Sequence, residues 1–420
     1  MKKVKSLQFV ILLIISGLIG YYFGINKVEI SWNNYEPSVA VVNKEAPVSL
    51  ENVDFSVFWN IWKKLEANYY NKTKLDPQKM VNGAIEGMIS SLGDPYTVYL
   101  PPTQNADFKN GLAGQFSGIG AELGTKDNQI IVIAPLEGSP AEKAGIRAAD
   151  VILKVDSEST ADLSLIATVE KIRGPRGTSV VLTVLHKDSN KEVDIKIVRD
   201  TITVKSVAGW VKDIHKIDGI KISADLTGKV SYVRLSQFGD STNKDWVSII
   251  NEIYLKIQED KLVKGIILDL RNNPGGYITD AQFIASEFLP KGDVIVYQEA
   301  DSNKIPLKVE RQGLFVNNDI KIRVLLNRGS ASASEIVAGA LRDYDRAVLV
   351  GETSFGKGTI QQAEDIGNGA GLHITVAKWL TPNEIWVHGK GLKPDIEVKI
   401  DDKDPSHDAQ LEKAVLDLLK

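Results

Sequence analysis

The spacing of apolar residues changes several times along the chain, and each change predicts a different kind of element. Leu7 to Phe23 is an apolar run interrupted by Gln8, Ser16 and glycines. Residues 31–50 are polar and punctuated by proline, which reads as a linker. Phe55, Phe58, Trp59, Ile61, Trp62 and Leu65 then recur at helical spacing, and a second helix is expected over 77–91. Gly93-Asp94-Pro95-Tyr96 and Pro101-Pro102 stop that pattern. Between 104 and 200 the period shortens to that of strands, at Ile130–Ala134, Val151–Val155, Val180–Leu185 and Val193–Val198. Two helices interrupt these strands. One has Ser139 as N-cap, Pro140 in its first turn and Gly145 past its end, and the other spans Asp162–Ile172. From 201 to 400 strands and helices alternate. Val230–Leu235, Gly265–Leu270, Arg323–Leu326 and Ala347–Val350 read as strands, Trp246, Ile249, Ile250, Ile253 and Ile257 mark one helix face, and a helix begins near Ser332. Such β-then-α units imply a layered α/β core. An amphipathic helix, Asp408–Leu419, closes the chain.

At 420 residues, two or three domains are expected. Fifty basic residues against 54 acidic ones give a net charge of −4, with no basic block beyond the first five positions, which argues against nucleic acid as a partner. The absence of Cys removes thiol catalysis, thiolate metal sites, disulfides and cysteine-linked lipid. Met1-Lys2-Lys3-Val4-Lys5 followed by about 17 apolar residues, against roughly 20 for a span, is the pattern of membrane targeting. No Ala-x-Ala-like cleavage site follows it. An uncleaved signal anchor is therefore expected rather than a removed signal peptide, with the N-terminus cytoplasmic and everything beyond about residue 30 extracytoplasmic.

Candidate chemistry is concentrated in two runs. Asn327-Arg328-Gly329-Ser330-Ala331-Ser332-Ala333-Ser334-Glu335 offers serine nucleophiles, and Ser354-Phe355-Gly356-Lys357-Gly358-Thr359-Ile360-Gln361 offers a lysine base. A serine hydroxyl is a poor nucleophile until a neighbour takes its proton. None of the histidines 186, 215, 373, 388 and 407 lies between two glycines as Lys357 does, so a Ser-Lys pair is expected. A buried lysine loses its proton readily, because desolvation disfavours the ammonium. Ser330, Ser332 and Ser334 all compete as nucleophile at a helix start, where serine is commonly only a cap. The Gly275-Gly276 turn offers a backbone N–H for a tetrahedral oxygen, with Gly276 chosen and the Ala333 N–H as the second donor.

Phe116-Ser117-Gly118-Ile119-Gly120, Gly138-Ser139-Pro140-Ala141-Glu142-Lys143-Ala144-Gly145 and Asp150-Val151-Ile152-Leu153-Lys154-Val155-Asp156 resemble a PDZ domain. That resemblance implies a loop, Gly118, Ile119 and Gly120, whose N–H groups hold a peptide's terminal carboxylate while the peptide adds a strand to the sheet edge.

Leu268-Asp269-Leu270-Arg271-Asn272-Asn273-Pro274-Gly275-Gly276, the two runs above, Leu380-Thr381-Pro382 and Gly389-Lys390-Gly391-Leu392-Lys393-Pro394-Asp395-Ile396 are similar in order and spacing to carboxyl-terminal processing (tail-specific) proteases. The resemblance implies Ser332 as nucleophile, Lys357 as general base, Gln361 as the residue orienting that lysine, and Asp343 as a possible relay carboxylate with a helix-end surface role as its alternative. On an extended strand Lys357 and Gln361 stand roughly 13 Å apart, so their cooperation requires a bend or a helical turn. The implied fold is multi-domain α/β: a crotonase/ClpP-like layered protease core with an inserted PDZ β-sandwich or barrel, a helical N-terminal region and a membrane anchor. The expected division is 1–30 stub and anchor, 31–103 linker and helices, 104–200 PDZ, 201–400 protease core and 401–420 terminal helix. The expected activity is a membrane-anchored serine endopeptidase acting on C-terminal segments of extracytoplasmic proteins, without metal or nucleotide. A homo-oligomer or an adaptor protein is allowed. The competing readings are an inactive PDZ scaffold that binds peptides and an acyl-transfer enzyme of crotonase type.

Overall fold

The computed structural model describes residues 15–17, 28–33, 36–41, 54–126, 129–136, 138–161, 163–186, 191–301, 303–400, 404 and 406–420. The chain divides into two compact units, Met1–Met80 and Val81–Lys420. The expected anchor lies outside the described residues except at 15–17 and 28–30. Among the described residues no helix is long and apolar enough to cross a membrane.

In the first unit, the stretch expected as a linker contains an antiparallel pair, Val28–Asn33 with Glu36–Val41, in register Val28↔Val41. The strand signal is the apolar residue at every second position, Val28, Ile30 and Trp32, which the prolines and polar residues obscure. The helix Ser56–Asn68 follows, its aromatic residues largely exposed.

The second unit contains the PDZ-like sheet, whose strand order is Glu192–Val198, Ser179–Leu185, Val151–Val155, Gln129–Pro135 and Ala121–Lys126. Its core is Ile130, Val132, Ile152, Val180, Leu182 and Ile197 with their neighbours. Ser139 caps the short helix Pro140–Lys143 by accepting from the Glu142 N–H.

The remaining residues build a six-stranded sheet, in the order Val207–Asp213, Lys229–Leu235, Val263–Asp269, Lys321–Leu326, Val348–Gly351 and Ile396–Glu397. The first pair is antiparallel and the rest are parallel. Parallel strands require crossovers and are covered on both faces. One face carries the helices Thr242–Glu259, Ile278–Ala285 and Ala333–Asp343, and the other the C-terminal helix Ala409–Leu418. The helix Ala333–Asp343 is buried from Ala333 to Leu341, Ser334 and Glu335 included. Its core also takes in Ile295, Val296 and Trp379 of a second sheet. That sheet has Val294–Ala300, Asn303–Lys308, Thr359–Gly367, Ala370–Leu380 and, at its margin, Val98–Leu100.

Candidate active site

Three loops meet where parallel strands end. Residues 270–276 follow Val263–Asp269, residues 327–332 follow Lys321–Leu326, and residues 352–358 follow Val348–Gly351. In open α/β sheets, ligands bind outside the carboxyl ends of the strands. A reciprocal pair ties the first two loops together: the Asn272 N–H donates to Asn327 Oδ1 and Asn327 Nδ2 donates to Asn272 Oδ1, both at 2.8 Å. The third loop joins them where the Phe355 N–H donates to the Ser330 carbonyl at 2.9 Å.

The three competing serines have different surroundings. Ser330 is fully buried, its hydroxyl donating to the Leu270 carbonyl at 2.9 Å and accepting from the Asn327 N–H at 3.0 Å. Ser334 is also fully buried and donates to the Asn273 carbonyl at 3.0 Å. Both hydroxyls hold loops in place. Ser332 instead lines a cavity of about 670 Å³, together with Gly275, Gly276, Ala333, Lys357 and Gln361. Its backbone has φ 54° and ψ −114°, a region that a residue with a side chain rarely occupies.

The glycine turn approaches this serine closely. A Cβ on Gly275 would come within 2.8 Å of Ser332 Cβ, and one on Gly276 within 1.7 Å of the Phe238 carbonyl oxygen. The two glycines also have φ of 99° and 140°. The Gly275 N–H is taken by Asn273 Oδ1 at 2.9 Å. The Gly276 N–H has no acceptor among the described residues, nor has that of Ala333, the first residue of its helix. These two free donors border the cavity that holds Ser332.

Lys357 Nζ lies 5.1 Å from the centre of the Tyr96 ring. Burial holds its pKa below the ordinary lysine value, against the opposing charge of Asp94. No hydrogen bond joins Lys357 Nζ to Ser332 among the described residues, a looseness usual in sites without substrate.

What joins the serine and lysine loops is Glu335, a residue with no role in the sequence reading. It is fully buried. One carboxylate oxygen accepts from the Ser332 N–H and the Lys357 N–H, each at 2.9 Å. The other accepts from Ser354 Oγ at 2.5 Å and the Gly356 N–H at 2.7 Å. Its sequence signal was its place three residues into the helix, where an acidic side chain reaches back to the cap.

Gln361 lies on the strand Thr359–Gly367, where the register shifts between Ile360 and Gln361. Its amide donates to Thr359 Oγ1 at 2.9 Å and Thr375 Oγ1 at 3.1 Å, so it lines the cavity without bonding to Lys357. Asp343 is not brought to the cavity. Eleven helical residues at about 1.5 Å each place it roughly 16 Å from Ser332. There it accepts from the Asn383 N–H at 2.9 Å and lies 3.6 Å from Arg342, a helix-end role.

In the PDZ-like part, Gly118 pairs with Asp200. The carbonyls of Ile119 and Gly120 accept from the Ala141 and Leu136 N–H groups. The following strand, Ala121–Lys126, is at the sheet edge with the helix Leu165–Ile172 packed beside it. Among the described residues, no group of three or more His, Asp or Glu side chains is arranged as a metal site.

Comparison with known proteins places these features in a family context. Residues 229–398 match the family described as Peptidase family S41, residues 131–185 the PDZ domain, and residues 13–103 the Activating protease CtpB N-terminal domain. The chain is 38% identical over 360 residues to a probable CtpA-like serine protease of Staphylococcus aureus strain N315, covering 86% of this chain and 67% of that protein. It is 37% identical over 357 residues to a protein of the same description from Staphylococcus epidermidis, covering 85% and 67%. Among solved structures, a putative S41 protease from Bacteroides fragilis superposes with a TM-score of 0.54 at 15% identity, over 86% of this chain and 96% of that one, a likeness of fold.

Proposed function

The chain belongs to peptidase family S41, as a CtpA-like serine protease with a PDZ domain, and from that premise we propose that it is an endopeptidase working through a Ser332–Lys357 dyad. The observation that carries this reading is the shared cavity of the two side chains, together with the one buried carboxylate that grips both of their backbones. Ser332 Oγ attacks the scissile carbonyl carbon while neutral Lys357 Nζ takes its proton. The carbonyl oxygen becomes an oxyanion held by the Gly276 and Ala333 N–H groups. When the tetrahedral intermediate collapses, the C–N bond breaks and the Lys357 ammonium returns the proton to the leaving amine. Water then releases the acyl group from Ser332 by the same steps, with Lys357 again as base.

The edge strand Ala121–Lys126 and the loop Gly118–Gly120 suit capture of a peptide's carboxyl end. The substrate is thus a flexible C-terminal segment of another protein, held by its terminal carboxylate. With residues 1–30 as an anchor, the protease acts on the extracytoplasmic side of the membrane. Incubating the full-length protein with an unfolded protein, beside its Ser332→Ala variant, tests the catalytic claim. Cleavage by the first and none by the second supports it, and cleavage by both removes Ser332 from the mechanism. An inactive peptide-binding scaffold would give cleavage by neither. Amidating the substrate's C-terminus is expected to slow cleavage, because charge-assisted hydrogen bonds are the stronger ones. Equal rates would remove the carboxylate from recognition.

A further inference from the structure

One side of the cavity is a face of three neighbouring strands, the hairpin Thr359–Gly367 and Ala370–Leu380 and the sequence-remote Val98–Leu100. Val98 lies opposite His373, and His373 opposite Ala363. Cross-strand partners share a face, and all three residues line the cavity that holds Ser332. The rest of the cavity wall is mostly apolar, with Leu100, Phe108, Ile336, Ile360 and Trp379. The imidazole meets Phe108 edge-on, ring centres 4.4 Å apart. Among the described residues none hydrogen-bonds either ring nitrogen of His373. Burial and then the charge of Lys357 hold its pKa below the ordinary histidine value. At neutral pH it is therefore an uncharged ring with one N–H donor and one acceptor nitrogen. A substrate that fills the cavity takes these nitrogens out of solvent, so it must supply hydrogen bonds of its own or lose affinity. In a pocket of this kind a few polar groups fix what an apolar wall cannot discriminate.

We propose that His373 is a specificity-determining residue, which hydrogen-bonds a hydroxyl or amide on the substrate side chain held by the cavity and so selects a Thr-like side chain over its apolar isostere Val. This inference rests on the protease reading of the same cavity. It is tested with the full-length enzyme and peptide pairs carrying Thr or Val at each position flanking the scissile bond. The wild-type enzyme is expected to favour Thr at one position by roughly five- to tenfold in kcat/KM, the size of one neutral hydrogen bond. His373→Leu should bring that ratio to about one, and His373→Gln, which keeps a donor and an acceptor, should retain part of it. A wild-type ratio of one at every position, or the same ratio in His373→Leu, overturns the proposal. Should His373→Leu fail to fold, two results decide: the His373→Gln ratio, and the affinity of the paired peptides for Ser332→Ala, where equal binding of Thr and Val peptides overturns it. Absence of Ser332-dependent cleavage of any peptide overturns the protease reading itself, a result distinct from cleavage without discrimination.

Discussion

One oxygen of the Glu335 carboxylate accepts from both the Ser332 N–H and the Lys357 N–H, at 2.9 Å each. The loops carrying the proposed nucleophile and base are thereby fixed to a single buried side chain. In Glu335→Gln the side-chain NH2 group would face at least one backbone donor wherever it is placed, the Ser332 and Lys357 N–H groups at one position or the Gly356 N–H at the other. The variant is expected to lose roughly 10- to 100-fold in kcat, in line with ~1–3 kcal/mol for buried donors left without acceptors. KM should change much less, because the cavity walls are untouched. Steady-state kinetics beside a thermal melt check this, and an unchanged kcat in a folded variant removes Glu335 from the positioning of the dyad.

Residues that act as a unit show losses that do not add. Ser332→Ala and Lys357→Ala are each expected to reduce turnover to near background, and the double variant to be no worse than either single one. Multiplying losses in the double variant would show that the two residues contribute independently.

The dyad also fixes the sign of the pH dependence. Only neutral Lys357 accepts the serine proton, so kcat/KM should rise as pH increases through the lysine pKa. Burial places that pKa below the ordinary 10.5, while the Asp94 charge works in the other direction. Asp94→Asn removes the charge that favours the ammonium and should move the rising limb to lower pH. A limb that stays in place, or moves upward, shows that Asp94 does not act on the titrating group.

Asp280 predicts a separate effect on stability. It is 5% exposed, one oxygen accepts from Asn243 Nδ2 at 2.9 Å, and the other has no partner among the described residues. Burial, with a contribution from the Asp240 charge, raises its pKa from 3.8 to about 6 despite the Asn243 bond. Between these values the folded protein keeps a proton that the unfolded chain has released. This group therefore lowers stability progressively as pH rises from about 4 to about 6, and the loss persists above that. Asp280→Asn should flatten that slope and gain on the order of 1 to 3 kcal/mol near pH 7.5. Denaturant melts of both proteins across this pH range measure it, and parallel pH profiles would show that Asp280 does not carry the slope.

The alternating β-then-α periods made the layered core legible, because each segment buries its own apolar face and so repeats at its own period. Val230–Leu235 and Gly265–Leu270 were accordingly readable as strands close to Lys229–Leu235 and Val263–Asp269. The site was less legible for physical reasons. Ser330, Ser332 and Ser334 are chemically identical in sequence, and only their hydrogen-bond surroundings distinguish them. Glu335 has backbone N–H groups among its partners, and such groups leave no mark on residue identity. His373 reaches the cavity through the pairing of strands that begin at residues 98, 359 and 370, a relation set by tertiary structure. Asp343 shows the converse: its sequence separation from Ser332 was known, but only a straight helix between them places it away from the cavity.

The backbone of Ser332, at φ 54° and ψ −114°, has a consequence for how this sequence can drift. A residue with a side chain held in such a conformation costs roughly 1–3 kcal/mol, and glycine there would be spared most of that cost. A change to glycine at 332 would thus make a sturdier protein that has lost its nucleophile. Selection for stability alone would favour such a change, and only the need to cut peptide bonds would keep serine in place. Among otherwise similar chains, glycine at this position would therefore mark a lineage released from catalysis, even where every other part of the cavity remains intact.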